Sequence, residues 1–260
     1  MSNLPFVKYS GNGNDFIIIN QPGLNLDSSL VKRLCDRHFG IGADGILAIG
    51  PSQTADIRMQ IYNADGGEAE MCGNGLRCLV TFIDSISKEK KDKYSVQTMN
   101  TIYQVIRSNG AFAIEMSEIK DKDLYDLSVF RQFEKRFFVN TGVPHLVFLT
   151  KHARKIDIKQ TAPQFRNHPM FPKGTNVSFV ELLDSEKQLA YSRTYERGVE
   201  DETLSCGTGL TAVGLALSEW YGWKGEIHLQ TLGGNQTVKI ADKVLYSGEV
   251  TFCFRGDFEI

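Results

Sequence analysis

Two cysteines lie in near-copies of one short segment, and their chemistry is the most informative feature of the chain. The segments read MCGNGL at residues 71–76 and SCGTGL at residues 205–210, and each opens an apolar stretch typical of a helix. Unpaired backbone N–H groups and the helix dipole favour a thiolate at a helix N-terminus. The same N–H groups can bind a carboxylate. Cys72 and Cys206 are therefore candidates for nucleophiles, for a redox pair or for an acid and a base.

The elements that must position these thiols are predominantly strands. Residues 76–86 and 210–221 carry apolar side chains on almost every face, which is typical of buried helices. Another helix is predicted at 27–39, ending at Gly40. Short runs rich in β-branched and aromatic residues predict strands at 6–9, 15–20, 45–49, 57–62, 94–98, 103–107, 111–116, 136–141, 146–149, 177–183, 189–194, 226–231, 236–240 and 249–255. A buried helix among many short strands indicates a barrel-like sheet wrapped around it, and hence an α+β fold.

The similarity between the two halves extends beyond the cysteines. GNDFII at 13–18 corresponds loosely to GVPHLV at 142–147, and GADGIL at 42–47 to GTNVSF at 174–179. YNADG at 62–66 precedes the first cysteine as YERG at 195–198 precedes the second, and VQT at 96–98 corresponds to LQT at 229–231. The ordered matches predict two pseudo-symmetric domains of roughly 120 residues. We expect them at residues 1–119, carrying Cys72, and 120–248, carrying Cys206.

Composition narrows the class of protein. The 260 residues are 42% hydrophobic and 23% charged, which is typical of a globular protein with a sizeable core. A net charge of -2 gives no electrostatic reason to expect nucleic acid or a membrane as partner. The N-terminal residues lack a signal-peptide pattern, and no apolar run approaches the ~18 residues that span a bilayer. The sequence therefore predicts a soluble cytoplasmic protein.

The other cysteines do not predict a disulfide framework or a metal site. Five cysteines are an odd number, and Cys72 and Cys78 are too far apart for a zinc knuckle. Cys35, Cys78 and Cys253 lie in apolar patterns and are expected to be buried. The glycines of GIGADG at 40–45 match a dinucleotide-binding pattern, but a helix precedes them and a strand follows, the reverse of the order required. No metal and no nucleotide cofactor is expected.

Two thiols on opposing domains could invert a stereocentre without a cofactor. One thiolate would remove the α-proton of a substrate, and the other thiol would deliver a proton to the opposite face. The carbanion needs electrostatic stabilisation and exclusion of water. Two helix N-termini aimed at the α-carboxylate would supply the first, and closure of two domains the second. A thiol pKa near ~8.5 allows one cysteine to be thiolate while the other is protonated.

The chain strongly resembles the diaminopimelate epimerase family, almost from end to end. The matching motifs are KYSGNGNDF at 8–16, NADG at 63–66, MCGNGLRC at 71–78, GTNV at 174–177, and ERG at 196–198 leading into CGTG at 206–209. The resemblance implies a PLP-independent enzyme with no cofactor that interconverts LL- and meso-diaminopimelate for lysine and peptidoglycan synthesis. It also implies a homodimer and a final strand, residues 249–260, that returns to the first domain.

Carried over by position, the resemblance implies a role for each matched residue. Cys72 and Cys206 would be the acid–base pair, with His145 and Glu196 close enough to bias their protonation. Glu196 would also bind the substrate's distal ammonium, for which it has the opposite charge, and Arg197 offers a bidentate fork to the distal carboxylate. The remaining substrate-binding residues implied are Gly73, Asn74, Gly207 and Thr208 at the reacting carboxylate, Asn63 and Asn176 at the distal carboxylate, and Asn14 in the same pocket.

The sequence departs from the family pattern at two positions and leaves other functions open. Val143 stands where many members have Asn, and Gly45 where some have Gln. Both changes concern the distal half of the substrate, so a related racemase with relaxed specificity, for example toward glutamate, is one alternative. A proline-racemase type would have no use for the charges of Glu196 and Arg197. A thiol redox protein and a non-catalytic amino-acid-binding module are the alternatives from other classes.

Overall fold

The computed structural model describes residues 3–21, 23–116, 119–122 and 124–260. The chain divides into two compact units, the first formed by Met1–Ile114 with Gly248–Ile260 and the second by Glu115–Ser247. The sequence places a domain boundary after residue 119, and residues 117 and 118 beside it lie outside the described part. None of the helices in the described ranges is long and apolar enough to cross a membrane.

Strands form most of both units. In chain order, the first eight are β1 (Asn3–Gly11), β2 (Asn14–Ile19), β3 (Gly45–Gly50), β4 (Ile57–Asn63), β5 (Glu68–Ala69), β6 (Lys93–Gln97), β7 (Ile102–Ser108) and β8 (Ala111–Met116). The second unit continues with β9 (Arg136–Asn140), β10 (Pro144–Leu149), β11 (Asn176–Asp184), β12 (Leu189–Glu196), β13 (Asp201–Thr203), β14 (Gly225–Thr231), β15 (Gly234–Ile240) and β16 (Val244–Gly248). The last strand is β17 (Val250–Glu259).

The strands of the two units pair in the same order. In the first unit β1 is antiparallel to β2, β2 is parallel to β3, and β3 is antiparallel to β4. β4 then pairs antiparallel with β5 and parallel with β6, which is antiparallel to β7. Strands β9 to β15 repeat this series step by step. The internal repeat read from the sequence is therefore a repeat of sheet topology, and the predicted α+β fold with two pseudo-symmetric halves is confirmed.

One long helix lies in the core of each unit. The helices are α1 (Ser28–Cys35), α2 (Gly73–Ile86), α3 (Ile158–Thr161), α4 (Pro163–Arg166) and α5 (Gly207–Tyr221), with 3₁₀ turns at Leu127–Val129 and Ala153–Lys155. α2 contacts β1, β2, β4, β7 and β17, and α5 contacts β9, β10, β11, β12 and β15. Most of their apolar side chains are fully buried, as expected for helices that a sheet surrounds.

The prediction for the first helix is wrong at its C-terminus. α1 ends at Cys35, four residues before Phe39. The Asp36 carboxylate accepts hydrogen bonds from the backbone N–H groups of His38 and Phe39, at 2.7 and 2.8 Å. Such a local side-chain bond competes with the helix for the same N–H groups. The Phe39 side chain is 87% exposed, so it does not extend the buried face of α1.

Candidate active site

Cys72 is the N-cap residue of α2. Its backbone is extended, with φ −144° and ψ 114°, and its sulfur accepts the N–H of Gly75 at 3.5 Å. A Cβ at Gly75 would lie 3.0 Å from Leu47 Cδ2, so the missing side chain lets the first turn pack closely on β3. The thiol is partly exposed, and the backbone N–H groups of Gly73 and Asn74 belong to the first turn of α2.

Asn14 lies against the Cys72 thiol and is held by a carboxylate. The thiol donates to Asn14 Oδ1 at 3.5 Å, and Asn14 Nδ2 donates to Asp44 Oδ2 at 2.8 Å. An ionised carboxylate only accepts hydrogen bonds, so Asp44 fixes the orientation of the Asn14 amide. Asp44 also accepts from Arg37 at 2.8 Å. The amide oxygen that faces the sulfur therefore favours the protonated thiol of Cys72, whereas the Gly75 N–H favours the thiolate.

Asn74 and Asn63 have different surroundings. The Asn74 side chain is buried and its Oδ1 accepts a hydrogen bond from Arg77, which also donates to Asn12 Oδ1 at 3.0 Å. This network fixes the first turn of α2 against the end of β1. Asn63 is exposed at the end of β4, where its N–H donates to the carbonyl of Gly67 at 2.8 Å.

Cys206 occupies the corresponding N-cap of α5 but is more deeply buried, with 7% exposure. Burial raises the pKa of its thiol, and the nearby carboxylate of Glu196 raises it further, whereas the Thr208 hydroxyl and the Gly209 N–H act in the opposite direction. The sulfur lies 3.4 Å from Thr208 Oγ1. Burial also raises the pKa of Glu196. The Cys206 thiol and the partly buried Glu196 carboxyl group therefore both favour their protonated forms.

His145 is connected to Cys206 through one hydroxyl group. The ring is fully buried, and Nε2 lies 2.9 Å from Thr208 Oγ1, while Nδ1 has no hydrogen-bond partner in the described part of the chain. Burial lowers the pKa of His145 to about 3, with a smaller contribution from the positive charge of Arg197. The imidazole is therefore neutral at physiological pH, and its Nε2 and the Cys206 sulfur are both within hydrogen-bonding distance of the Thr208 hydroxyl.

Asn176 and Arg197 are linked directly. The Asn176 side chain is buried, and its Oδ1 accepts the backbone N–H of Arg197 at 2.7 Å while its Nδ2 donates to the Pro144 carbonyl at 2.9 Å. One N–H of the Asn176 amide remains for a ligand, because a primary amide has two. The Arg197 guanidinium donates to the Lys173 carbonyl at 3.0 Å. The sequence did not indicate that Asn176 fixes the backbone of Arg197.

Gly207 allows a close approach at the start of α5. A Cβ there would lie 2.6 Å from the Tyr246 ring, which is fully buried. Gly45, one of the two departures from the family pattern, has a similar constraint. A Cβ at Gly45 would lie 2.5 Å from the Tyr62 carbonyl oxygen, because β3 and β4 pair closely at this point. The backbone of β3 in this chain therefore excludes a side chain at residue 45.

The remaining cysteines divide between burial and exposure. Cys35 and Cys78 are buried as expected, and burial raises the pKa of Cys35 to about 11 and that of Cys78 further still. The prediction for Cys253 is wrong, because this residue is exposed on β17. Within the described ranges no group of three or more His, Cys, Asp or Glu side chains is arranged to hold a metal ion.

Solved structures of low sequence identity share this fold. Similar folds occur in a phenazine biosynthesis protein of the PhzF family from Enterococcus faecalis, with a TM-score of 0.75, 11% identity and coverage of 100% of each chain. A hydroxyproline epimerase from Agrobacterium vitis has a TM-score of 0.62 and 13% identity over 98% of this chain and 92% of its own. The protein therefore has the two-domain fold of this structural class.

Sequence comparison then identifies the family. The family model described as diaminopimelate epimerase matches residues 6–117 and 137–253. The diaminopimelate epimerase of Methanothrix thermoacetophila is 39% identical over 277 residues, covering 98% of this chain and 96% of the relative. That of Caldanaerobacter subterraneus subsp. tengcongensis is 36% identical over 281 residues, covering 98% and 99%. The chain belongs to the diaminopimelate epimerase family, as its motifs predict.

Proposed function

We propose that this protein is a diaminopimelate epimerase that inverts one α-carbon between the LL and meso isomers without PLP. Family membership supports the substrate. One observation supports the mechanism: in each repeat the N-cap residue of the long helix is a cysteine, Cys72 for α2 and Cys206 for α5. A single nucleophilic or structural thiol would not need a counterpart at the equivalent position of the repeat.

The two thiols act as base and acid on one carbon. The thiolate of one cysteine takes the α-proton, and the thiol of the other delivers a proton to the opposite face, so the pair exchanges roles with the direction of reaction. The raised pKa of Cys206 favours its thiol form in the free enzyme. Cys206 therefore starts as the acid. Cys72 becomes the base when its thiol gives up the proton that it shares with Asn14 Oδ1, and the Gly75 N–H stabilises the resulting thiolate.

The reacting carboxylate binds to backbone N–H groups at the two helix N-termini. These are the groups of Gly73 and Asn74 on α2 and of Gly207 and Thr208 on α5. A carboxylate gains charge as the α-carbanion forms, and fixed N–H donors stabilise that charge without reorganisation. This arrangement supplies the electrostatic help for which other enzymes use a cofactor.

The distal end of the substrate is a zwitterion, and the proposed ligands complement it. Arg197 binds the distal carboxylate with its guanidinium, and Asn176 contributes its free amide N–H. Asn63, exposed at the end of β4, contributes to the same carboxylate, and Asn14 lines the pocket beside Cys72. Glu196 binds the distal ammonium, while His145 acts on Cys206 through Thr208.

We also propose that the enzyme is a cytoplasmic homodimer that serves lysine and peptidoglycan synthesis. An exposed apolar row on β17 supports the dimer: Phe252 is 51% exposed and Phe254 46% exposed. Their rings pack edge-on against Tyr9 and Phe6 of β1, which orders the surface that a second copy would cover. Light scattering of the purified protein, with Phe254→Asp as the variant expected to be monomeric, tests this assembly.

An assay of substrate choice tests the proposed activity. Reduced protein without added PLP should convert LL-diaminopimelate to the meso isomer, detected by chiral chromatography. Glutamate and proline are offered in parallel, since Val143 and Gly45 change the residues that correspond to distal contacts. Inversion of glutamate or proline in place of diaminopimelate would identify a racemase instead. Activity that disappears in excess reductant would indicate a redox protein.

A further inference from the structure

The turn that carries Arg197 has a strained backbone. It runs from Glu196 to Glu200 and is closed by the Glu200 N–H donating to the Glu196 carbonyl at 2.8 Å. Gly198 has φ 94° and Glu200 has φ 57°, a left-handed conformation that is unfavourable for a residue with a side chain. Such a conformation persists only where surrounding contacts impose it.

The Glu200 carboxylate supplies one of those contacts. Its Oε1 accepts the backbone N–H of Gly198 at 3.0 Å, inside the same turn. The same oxygen pairs with Arg166, at 2.6 Å from Nη2 and 3.2 Å from Nε. The Gly198 N–H and the Arg166 guanidinium both lower the pKa of Glu200. Glu200 therefore connects the turn to a side chain at the end of α4.

Arg166 also contacts residues 174 and 175, which follow the residue whose carbonyl binds the Arg197 guanidinium. A Cβ at Gly174 would lie 1.8 Å from Arg166 Nη1, so the guanidinium occupies the space that a side chain at residue 174 would need. The Arg166 carbonyl accepts the N–H of Thr175 at 3.2 Å. Next to this segment, the Lys173 carbonyl accepts a hydrogen bond from Arg197.

We propose that Arg166 and Glu200 are positioning residues for Arg197, and that they fix its guanidinium for the substrate's distal carboxylate. The inference rests on the proposed function, because it takes the distal carboxylate as the ligand of Arg197. Arg166 contacts two of the chain segments beside Arg197, namely residues 173–175 and the turn closed by Glu200. The Arg166 side chain is only 15% exposed, unlike that of a freely moving surface cation.

The geometry leaves Arg197 free to bind a substrate. Its guanidinium has five N–H donors in a rigid fork, and the Lys173 carbonyl takes one of them. No carboxylate in the described ranges forms an ion pair with Arg197. A carboxylate bound by such a fork requires a defined orientation of the guanidinium plane. Loss of the contact between Arg166 and Glu200 is therefore expected to weaken substrate binding and to leave the rate of proton transfer nearly unchanged.

Glu200→Gln tests the proposal, because it preserves size and an acceptor oxygen but removes the charge that holds Arg166. We expect KM for LL-diaminopimelate to rise about tenfold, because the Arg197 guanidinium would bind the distal carboxylate in a less defined orientation. The value of kcat should stay within about twofold of wild type. Hydrogen exchange at the Gly198 amide should be several times faster. The double variant with Arg166→Gln should be no worse than either single variant, because the two residues act as one unit.

Asp201→Asn is the matched control. Asp201 follows Glu200 directly and forms an ion pair of similar length, 2.7 Å, with the exposed Lys159. Its loss should leave KM, kcat and exchange at Gly198 unchanged. A wild-type KM in Glu200→Gln overturns the proposal. If the wild-type protein does not epimerise diaminopimelate, the proposed function is wrong. In that case hydrogen exchange still tests the positioning role, because an unchanged exchange rate at Gly198 in Glu200→Gln overturns it.

Discussion

Replacement of His145 by Gln should make the second unit less sensitive to acid. The folded-state pKa of His145 is lowered to about 3 from an ordinary value of 6.5 because the ring is fully buried. Between these two values the unfolded chain binds the proton and the folded chain does not, so stability falls as the pH falls through this window. With an unfolded pKa of about 6.5, this linkage removes about 2 kcal/mol between pH 7 and pH 5.

Gln carries no charge in this pH range and can offer a polar atom to Thr208 near the position of Nε2. The variant should therefore lose about 2 kcal/mol less than the wild type between pH 7 and pH 5, whatever its stability at pH 7. Glu196 contributes in the opposite direction, because its raised pKa means that the folded state takes up the proton first. That contribution is common to both proteins and cancels in the comparison.

Urea unfolding followed by tryptophan fluorescence measures this difference. Both tryptophans, Trp220 and Trp223, lie in the same unit as His145, so the signal reports on that unit. The exposed His228 provides a control for the His-to-Gln change itself. Equal losses of stability in wild type and His145→Gln from pH 7 to pH 5 would refute a buried, neutral histidine at this position.

Three further changes test separate parts of the account. Thr208→Val leaves the buried Nε2 of His145 without its partner and should lower stability by about 1–3 kcal/mol, whereas Thr208→Ser should behave like the wild type in the same thermal scans. Glu202→Gln removes the carboxylate that pairs at 2.6 Å with Arg193, a side chain only 14% exposed, and leaves that charge uncompensated. A loss of about 3 kcal/mol in urea unfolding is expected, and a loss under about 1 kcal/mol would contradict it. Gly45→Gln should destabilise the first unit by about 1–3 kcal/mol through its close carbonyl contact, and unchanged amide exchange in β3 would show that the strand can yield.

Patterns of hydrophobicity and repeated motifs predict much of this fold. The continuous apolar faces of α2 and α5 require burial on all sides, and short strands around each helix are the arrangement that provides it. Repetition of the cysteine motif at matching points of both halves also predicts matching topology, which the pairing of β1–β7 and β9–β15 shows. These features are local or periodic, and the sequence therefore carries them directly.

The features that were not predicted depend on tertiary contacts. The apolar run around Cys253 suggests a buried strand, but burial depends on whether a second layer covers β17, and the residue is exposed. β5 and β13 have only two and three residues, which is too short for a periodic pattern. Arg166 belongs to no motif, and its contacts with Glu200 and with the space beside Gly174 depend on the tertiary structure. The end of α1 depends on the Asp36 side chain, which accepts hydrogen bonds from N–H groups that a longer helix would use.

Isotope incorporation in D₂O tests the two-thiol account most directly. If two different groups remove and deliver the proton, meso-diaminopimelate formed from the LL isomer carries solvent deuterium at the inverted carbon from the first turnover. The recovered LL substrate stays unlabelled. Cys72→Ser and Cys206→Ser should each abolish this product. Three results would contradict the assignment of Cys72 and Cys206 as one base and one acid. They are product that retains its original hydrogen, substrate labelled as fast as product, and full epimerisation by either serine variant.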